Sequence, residues 1–249
     1  MELRAADITI RIAPRDRAAL EAEVARRLAA REGFALATVN LDHMVKLRHD
    51  PAFRAAYARH DLIVADGNPI VWLSRLARRP VGLVPGSDMV VPLARAAQAA
   101  GASVALVGGT EASLRGASER LMAQVPGLRI VAQIAPPMGF DSSGAQGAEV
   151  IEALGASGAG LCLLALGAPK QEIFAARAHA ALPHLGLAGI GAGLDFLSGA
   201  QRRAPLWMRR LALEWLWRML LQPRRLIPRY ARCALILPGL AVQAWRQRR

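Results

Sequence analysis

Asp66 is the residue around which chemistry is most readily assembled. It follows the apolar run Leu62-Ile-Val-Ala65 and precedes Gly67-Asn68-Pro69. A second apolar run, Leu36-Ala-Thr38-Val, stops at Asn40. Apolar runs that end abruptly in polar residues read as buried parallel strands with helices on both sides. Thr38, Asn40, Asp66 and Asn68 then sit at or just past the carboxyl ends of two strands. Open α/β sheets bind ligands at that edge. A carboxylate there loses water on one side, and its pKa rises toward the range of a general base. Aspartate is also a preferred helix N-cap, so position alone leaves both roles open.

Three further turns have suitable composition. Val107-Gly108-Gly109-Thr110 lets the backbone approach a ligand, and a helix N-terminus behind it offers free N–H groups to a phosphate. Tight strand–helix packing explains two glycines equally well. Gly167-Ala-Pro-Lys170-Gln171-Glu172 places an ammonium, an amide and a carboxylate at one helix start. A first turn with proline near N1 and an acid complementing the dipole has the same composition. Gly191-Ala-Gly193-Leu-Asp195 is a third glycine-rich strand exit.

Other chemistries lack their signatures. There is no D-x-D element, no H-E-x-x-H, no G-x-S-x-G and no G-x-G-x-x-G. His43 either faces the site or lies on a helix surface. Cys162 and Cys233 have no CxxC spacing and read as core thiols.

The elements that position these residues alternate. Strands are expected at 7–12, 34–39, 62–65, 81–84, 103–107, 128–132, 160–166 and 185–190. Helices are expected at 14–31, 42–59 with a break near Pro51, 69–76, 86–100, 110–125, after Gly144, and after Gly167. Such alternation predicts an α/β fold, a Rossmann-like, mostly parallel sheet with helices on both faces. After Gly199 the strands stop, and helices are expected at 205–221 and 224–249. The expected division is a catalytic core at 1–200 and a helical appendage at 201–249.

Charge follows the same division. Of the net +13, residues 202–249 carry +11: twelve arginines against one acid, Glu214. Such a tail calls for an anionic partner. Trp207, Trp215, Trp217 and Trp245 lie among the arginines, a mixture suited to a membrane interface. The segment Ala234–Val242 is apolar but too short and interrupted to span a bilayer. It is expected to lie in the interface. The N-terminus lacks the basic start and apolar core of a signal peptide, so a cytoplasmic location is expected.

Together, Thr38-x-Asn40, Ala65-Asp66-Gly67, Val107-Gly-Gly109, Gly167-Ala-Pro-Lys-Gln-Glu172, Gly191-x-Gly193-x-Asp195, Arg203-Ala-Pro205 and Glu214-Trp-x-x-Arg218…Pro223-x-Arg225…Arg229-Tyr230 resemble the WecG/TagA/CpsF glycosyltransferases over about residues 7–232. The resemblance implies inverting, metal-independent transfer from a UDP-sugar to an undecaprenyl-diphosphate-linked saccharide, with no cofactor, at the inner face of the bacterial membrane. It implies Asp66 as catalytic base and Thr38, Asn40 and Gln171 as pocket residues. Asn68, Gly108, Gly109, Lys170, Glu172 and Asp195 join them as candidate substrate contacts. It also implies Arg203, Arg218, Arg225 and Arg229, with Trp215 and Trp217, at the lipid diphosphate and an anionic membrane surface. A homo-oligomer is compatible with the sequence. The chain departs from the family pattern at Asp66-Gly-Asn68-Pro69 and around Pro136-Pro-Met-Gly-Phe140. Two other classes compete: a nicotinamide oxidoreductase, which needs the missing three-glycine fingerprint, and a nucleic-acid module docking through the tail, for which no motif is present.

Overall fold

The computed structural model describes residues 1–248, so Arg249, the last residue of the expected appendage, lies outside it. In chain order the elements are β1 (Glu2–Ala5), β2 (Ile8–Arg11), α1 (Arg17–Ala29), β3 (Phe34–Val39), α2 (Leu41–His49), α3 (Pro51–Tyr57), β4 (Leu62–Ala65), α4 (Asn68–Leu76), α5 (Gly86–Ala99), β5 (Val104–Gly108), α6 (Glu111–Gln124), β6 (Ile130–Ile134), α7 (Ala145–Ser157), β7 (Leu161–Ala165), α8 (Lys170–Ala181), β8 (Gly186–Gly189), α9 (Gly193–Ser198), α10 (Leu206–Arg210), α11 (Glu214–Leu221) and α12 (Pro223–Arg246).

Six strands form one parallel sheet in the order β4-β3-β8-β7-β5-β6. β3, β4, β5 and β8 are buried along their whole length, as continuous apolar runs require when helices cover both faces. Alternate strand residues feed opposite layers. Leu36, Val64, Leu106 and Leu163 pack with Leu20 and Val24 of α1, Leu93 of α5 and Leu114 of α6. Val107, Cys162, Leu164 and Leu187 pack with Val150 of α7 and Phe174 of α8. Ala37, Val39, Ile63 and Ala65 pack with Met44, Phe53 and Ile70. Cys162 and Cys233 are both free and buried.

The structure corrects several expectations. The strand at 7–12 is half of an antiparallel hairpin with β1, outside the parallel sheet. Its partner Glu2-Leu-Arg-Ala has only alternate apolar residues, too short a run to stand out. Residues 81–84 form no strand. Val84 N–H donates to Ala65 O at 2.8 Å, but no ladder follows. β6 begins two residues later than expected and has a register shift against β5 at Val104/Ala105. The single helix expected at 205–221 is two, broken where Ala212 adopts φ 61°.

The largest correction concerns Ala234–Val242. Only one face of it is free. Leu240 and Ala244 are fully buried in the core, with Ile236 and Leu237 packed beside them. Gln247 Nε2 donates to Glu2 O at 2.6 Å, so the end of α12 holds the N-terminal hairpin. Leu235 and Val242 remain exposed. No helix among the described residues is long and apolar enough to cross a membrane.

Candidate active site

The strand register builds the site. Val39 pairs with Ala65, so Asn40 and Asp66 leave neighbouring strands side by side. Asp66 N–H donates to Val39 O at 2.8 Å, which fixes that step. Asn40 caps α2: its Oδ1 accepts from His43 N–H at 3.1 Å. Its amide is left to donate to the Asp66 carboxylate. Gly67 adopts φ 114°, a conformation that lets the chain turn from β4 into α4 directly after Asp66. Asp66 makes no cap bond to α4, whose N-cap is Gly67. The capping alternative therefore does not account for it.

Burial raises the Asp66 pKa to about 6. Glu214 pushes it further up, Arg218 opposes, Asp88 adds to the rise, and the Asn40 hydrogen bond lowers it. Glu214 and Arg218 belong to α11, so the first turns of that helix lie within electrostatic reach of Asp66. The motif Glu214-Trp-x-x-Arg218 contains both α11 residues but suggested a role for Arg218 alone, and Asp88 carried no signal beyond being an acid at a helix start.

Thr38 is buried in β3, opposite Val64. Asn68 is half-buried in the first turn of α4. Gln171 is buried under the end of β8, where its Oε1 accepts from Gly191 N–H at 3.2 Å and its Nε2 donates to Glu172 at 3.2 Å. Lys170 is half-buried at the start of α8. The exits of β4, β3, β8, β7 and β5 thus bring Asp66, Asn40, Gly191, Lys170 and Gly109 along one edge.

Two candidates have structural work of their own. A side chain at Gly108 would meet Ala165 O at 2.4 Å, so this glycine is required by the neighbouring strand. Gly109 faces Asp195 instead. Asp195 accepts from Ser113 Oγ at 2.7 Å and from Gln201 Nε2 at 2.8 Å, which ties α9 to α6. His43 is neither a surface residue nor a site group. It is buried, takes a 2.7 Å hydrogen bond with the Tyr57 hydroxyl, and is held neutral with a pKa near 3 by that burial.

Glu172 is a second unusual acid. It is 1% exposed, and one of its oxygens has no hydrogen-bond partner. Burial raises its pKa to about 7, against opposing hydrogen bonds from its own N–H and Gln171 and the charge of Lys46. A folded-state pKa raised above 4.5 means that stability falls as pH climbs from the unfolded value through the folded one. Glu172→Gln should therefore add up to about 3 kcal/mol at pH 8 and little at pH 4. Urea melts at the two pH values check this, and an equal difference at both would refute it.

The tail arginines occupy distinct places. Arg229 Nε lies 3.0 Å from Asp42 Oδ1, and Lys46 lies 2.7 Å from Asp42 Oδ2. Lys46 also donates to Ala168 O at 2.9 Å, which joins this cluster to the turn before α8. Arg203 Nη1 lies 2.5 Å from Asp88 and its Nε 3.7 Å from Glu214. Arg225 is exposed and, among the described residues, donates only to Gln222 in its own turn. Trp215 is exposed and meets Tyr230 edge-on at 5.8 Å, whereas Trp217 buries its indole nitrogen without a partner.

Over 210 residues the chain is 27% identical to an N-acetylglucosaminyldiphosphoundecaprenol N-acetyl-beta-D-mannosaminyltransferase of Bacillus spizizenii, covering 82% of this chain and 79% of that one. The model of the glycosyl transferase WecG/TagA/CpsF family matches residues 6–249. A parallel sheet with Asp66 at its carboxyl edge, under helices from an arginine-rich C-terminus, is thus the form taken here by a member of the WecG/TagA/CpsF glycosyltransferase family.

Proposed function

We propose that the protein transfers a sugar from a UDP-sugar to a saccharide carried on undecaprenyl diphosphate, with inversion and without a metal ion. The observation that carries the reading is the pairing of Asn40 with Asp66 at adjoining strand ends, where the Asp66 pKa rises to about 6. In the reaction Asp66 takes the proton of the acceptor hydroxyl as its oxygen attacks the anomeric carbon. The bond from that carbon to the diphosphate breaks, and UDP leaves with the electron pair. Asn40 holds the carboxylate in line. Gln171, Lys170 and the first-turn N–H groups of α6 and α8 suit the nucleotide diphosphate. Arg218 and Arg225, joined by Arg229 if it leaves Asp42, suit the acceptor diphosphate. The exposed tryptophans and leucines of α10–α12, among arginines, suit an anionic membrane surface.

The relative's name supplies the first pair to try: an N-acetylmannosaminyl donor and an N-acetylglucosaminyl diphospholipid. The β linkage in that name is what inversion at an α-linked nucleotide sugar would give. Incubation of a short-chain diphospholipid acceptor with a panel of nucleotide sugars tests the reading. One UDP-sugar should yield a β-linked product and free UDP, at a rate EDTA leaves unchanged. Product from another nucleotide sugar alone, or an α linkage, would overturn it.

A further inference from the structure

Arg203 sits in the segment between α9 and α10, yet its side chain is only 22% exposed. It touches three elements: Asp88 in the first turn of α5 at 2.5 Å, Glu214 at the first position of α11 at 3.7 Å, and the Phe196 ring of α9, 5.6 Å beneath the guanidinium. Its charge is already shared between two carboxylates, unlike that of the exposed Arg225, although its Nε makes no hydrogen bond among the described residues. We propose that Arg203 is a positioning residue that holds α11 against the start of α5, so that Glu214 and Arg218 stand over the Asp66 edge of the sheet. Its planar fork can serve two carboxylates at once, which lysine's single ammonium cannot do with the same geometry. Removing one member of this group leaves partly buried charge uncompensated.

The groups acting on Asp66 come from every element around it. Glu214 and Arg218 come from α11, Asp88 from α5, and Asn40 from the turn after β3, while Tyr57 of α3 is itself pushed up by burial and by the charges of Glu172 and Asp66. Loss of Arg203 would free α11, carrying off Arg218 together with Glu214. The effect on turnover rests on the reading of Asp66 as base; the effect on α11 does not.

The test compares Arg203→Gln, Arg203→Lys and Glu214→Gln in the full chain. Amide hydrogen exchange in residues 214–221 should accelerate in Arg203→Gln, with residues 17–29 unchanged, and by less in Arg203→Lys. Turnover on lipid acceptor should fall roughly 10–100-fold in Arg203→Gln, with the donor KM unchanged. Glu214→Gln should move the acid limb of kcat/KM below its position near pH 6, because a negative neighbour has gone. Unaltered exchange in 214–221 in Arg203→Gln would overturn the proposal. So would an acid limb that does not move in Glu214→Gln while Asp66→Asn still lowers turnover at least roughly 10²-fold. If Asp66→Asn keeps its turnover, the reading of Asp66 as base fails, and accelerated exchange would still support the role of Arg203.

Discussion

Asp66→Asn is expected to lower turnover roughly 10²–10⁴-fold and to leave UDP affinity nearly unchanged. The amide keeps the shape of the carboxylate and its contact with Asn40 but cannot take a proton. In the wild type, kcat/KM should rise with pH through an inflection near 6, where the carboxyl ionises. The variant should lose that inflection along with its rate. A second effect runs the other way. The folded-state pKa is raised from 3.8 to about 6, so ionised Asp66 opposes folding once pH exceeds the unfolded value. Asparagine removes that opposition. The variant should be more stable than the wild type at pH 8 by about 1–3 kcal/mol, and equally stable near pH 4. Single-turnover kinetics, UDP titration calorimetry and urea melts at both pH values read the three effects. Wild-type turnover in a folded Asp66→Asn protein would remove Asp66 from the chemistry.

The same residue shows how far the sequence is legible. Leu62–Ala65 is an uninterrupted apolar run before a polar exit, and that contrast survives folding because a strand covered on both faces has no polar position. The strand order was not legible. The side-by-side exit of Asn40 and Asp66 depends on the Val39–Ala65 register, which is a tertiary fact. Gly108 misled for a related reason. A glycine needed by a ligand and one needed by the next strand look identical until Ala165 is seen beside it. The effects of Glu214 and Asp88 on Asp66 were hidden because the two acids reach it through the fold, from 148 and 22 residues away in sequence. In the C-terminal segment arginine density was informative, but the buried face of α12 was not. Pro238 and Gly239 interrupt an apolar run that reads as interfacial, yet Leu240 and Ala244 complete the core.

That burial decides how the membrane face should be tested. Cutting the chain after Gly199 would strip Leu240 and Ala244 from the core and unseat the hairpin held by Gln247. Loss of vesicle binding would then say nothing about the surface. Substitutions confined to outward residues avoid this. Leu220, Leu221 and Leu235 are 67%, 57% and 79% exposed, positions at which leucine contributes little to folding. Inserted at a membrane interface, each would contribute about 1 kcal/mol, less than the full burial of such a side chain. Leu220→Ser, Leu221→Ser and Leu235→Ser together should weaken partition onto anionic vesicles about 100-fold, with the melting transition unmoved. Arg224→Gln with Arg232→Gln removes two exposed charges, each contributing at most about 1 kcal/mol near an anionic surface. That pair should weaken binding by roughly tenfold at low salt and hardly at all at high salt, because the attraction it removes is already screened there. Turnover on a soluble short-chain acceptor should stay at the wild-type rate in both variants. Co-sedimentation with anionic and zwitterionic vesicles at two ionic strengths separates the two contributions. If the triple leucine variant co-sediments as well as the wild type, the outward face of α11 and α12 is not what meets the membrane.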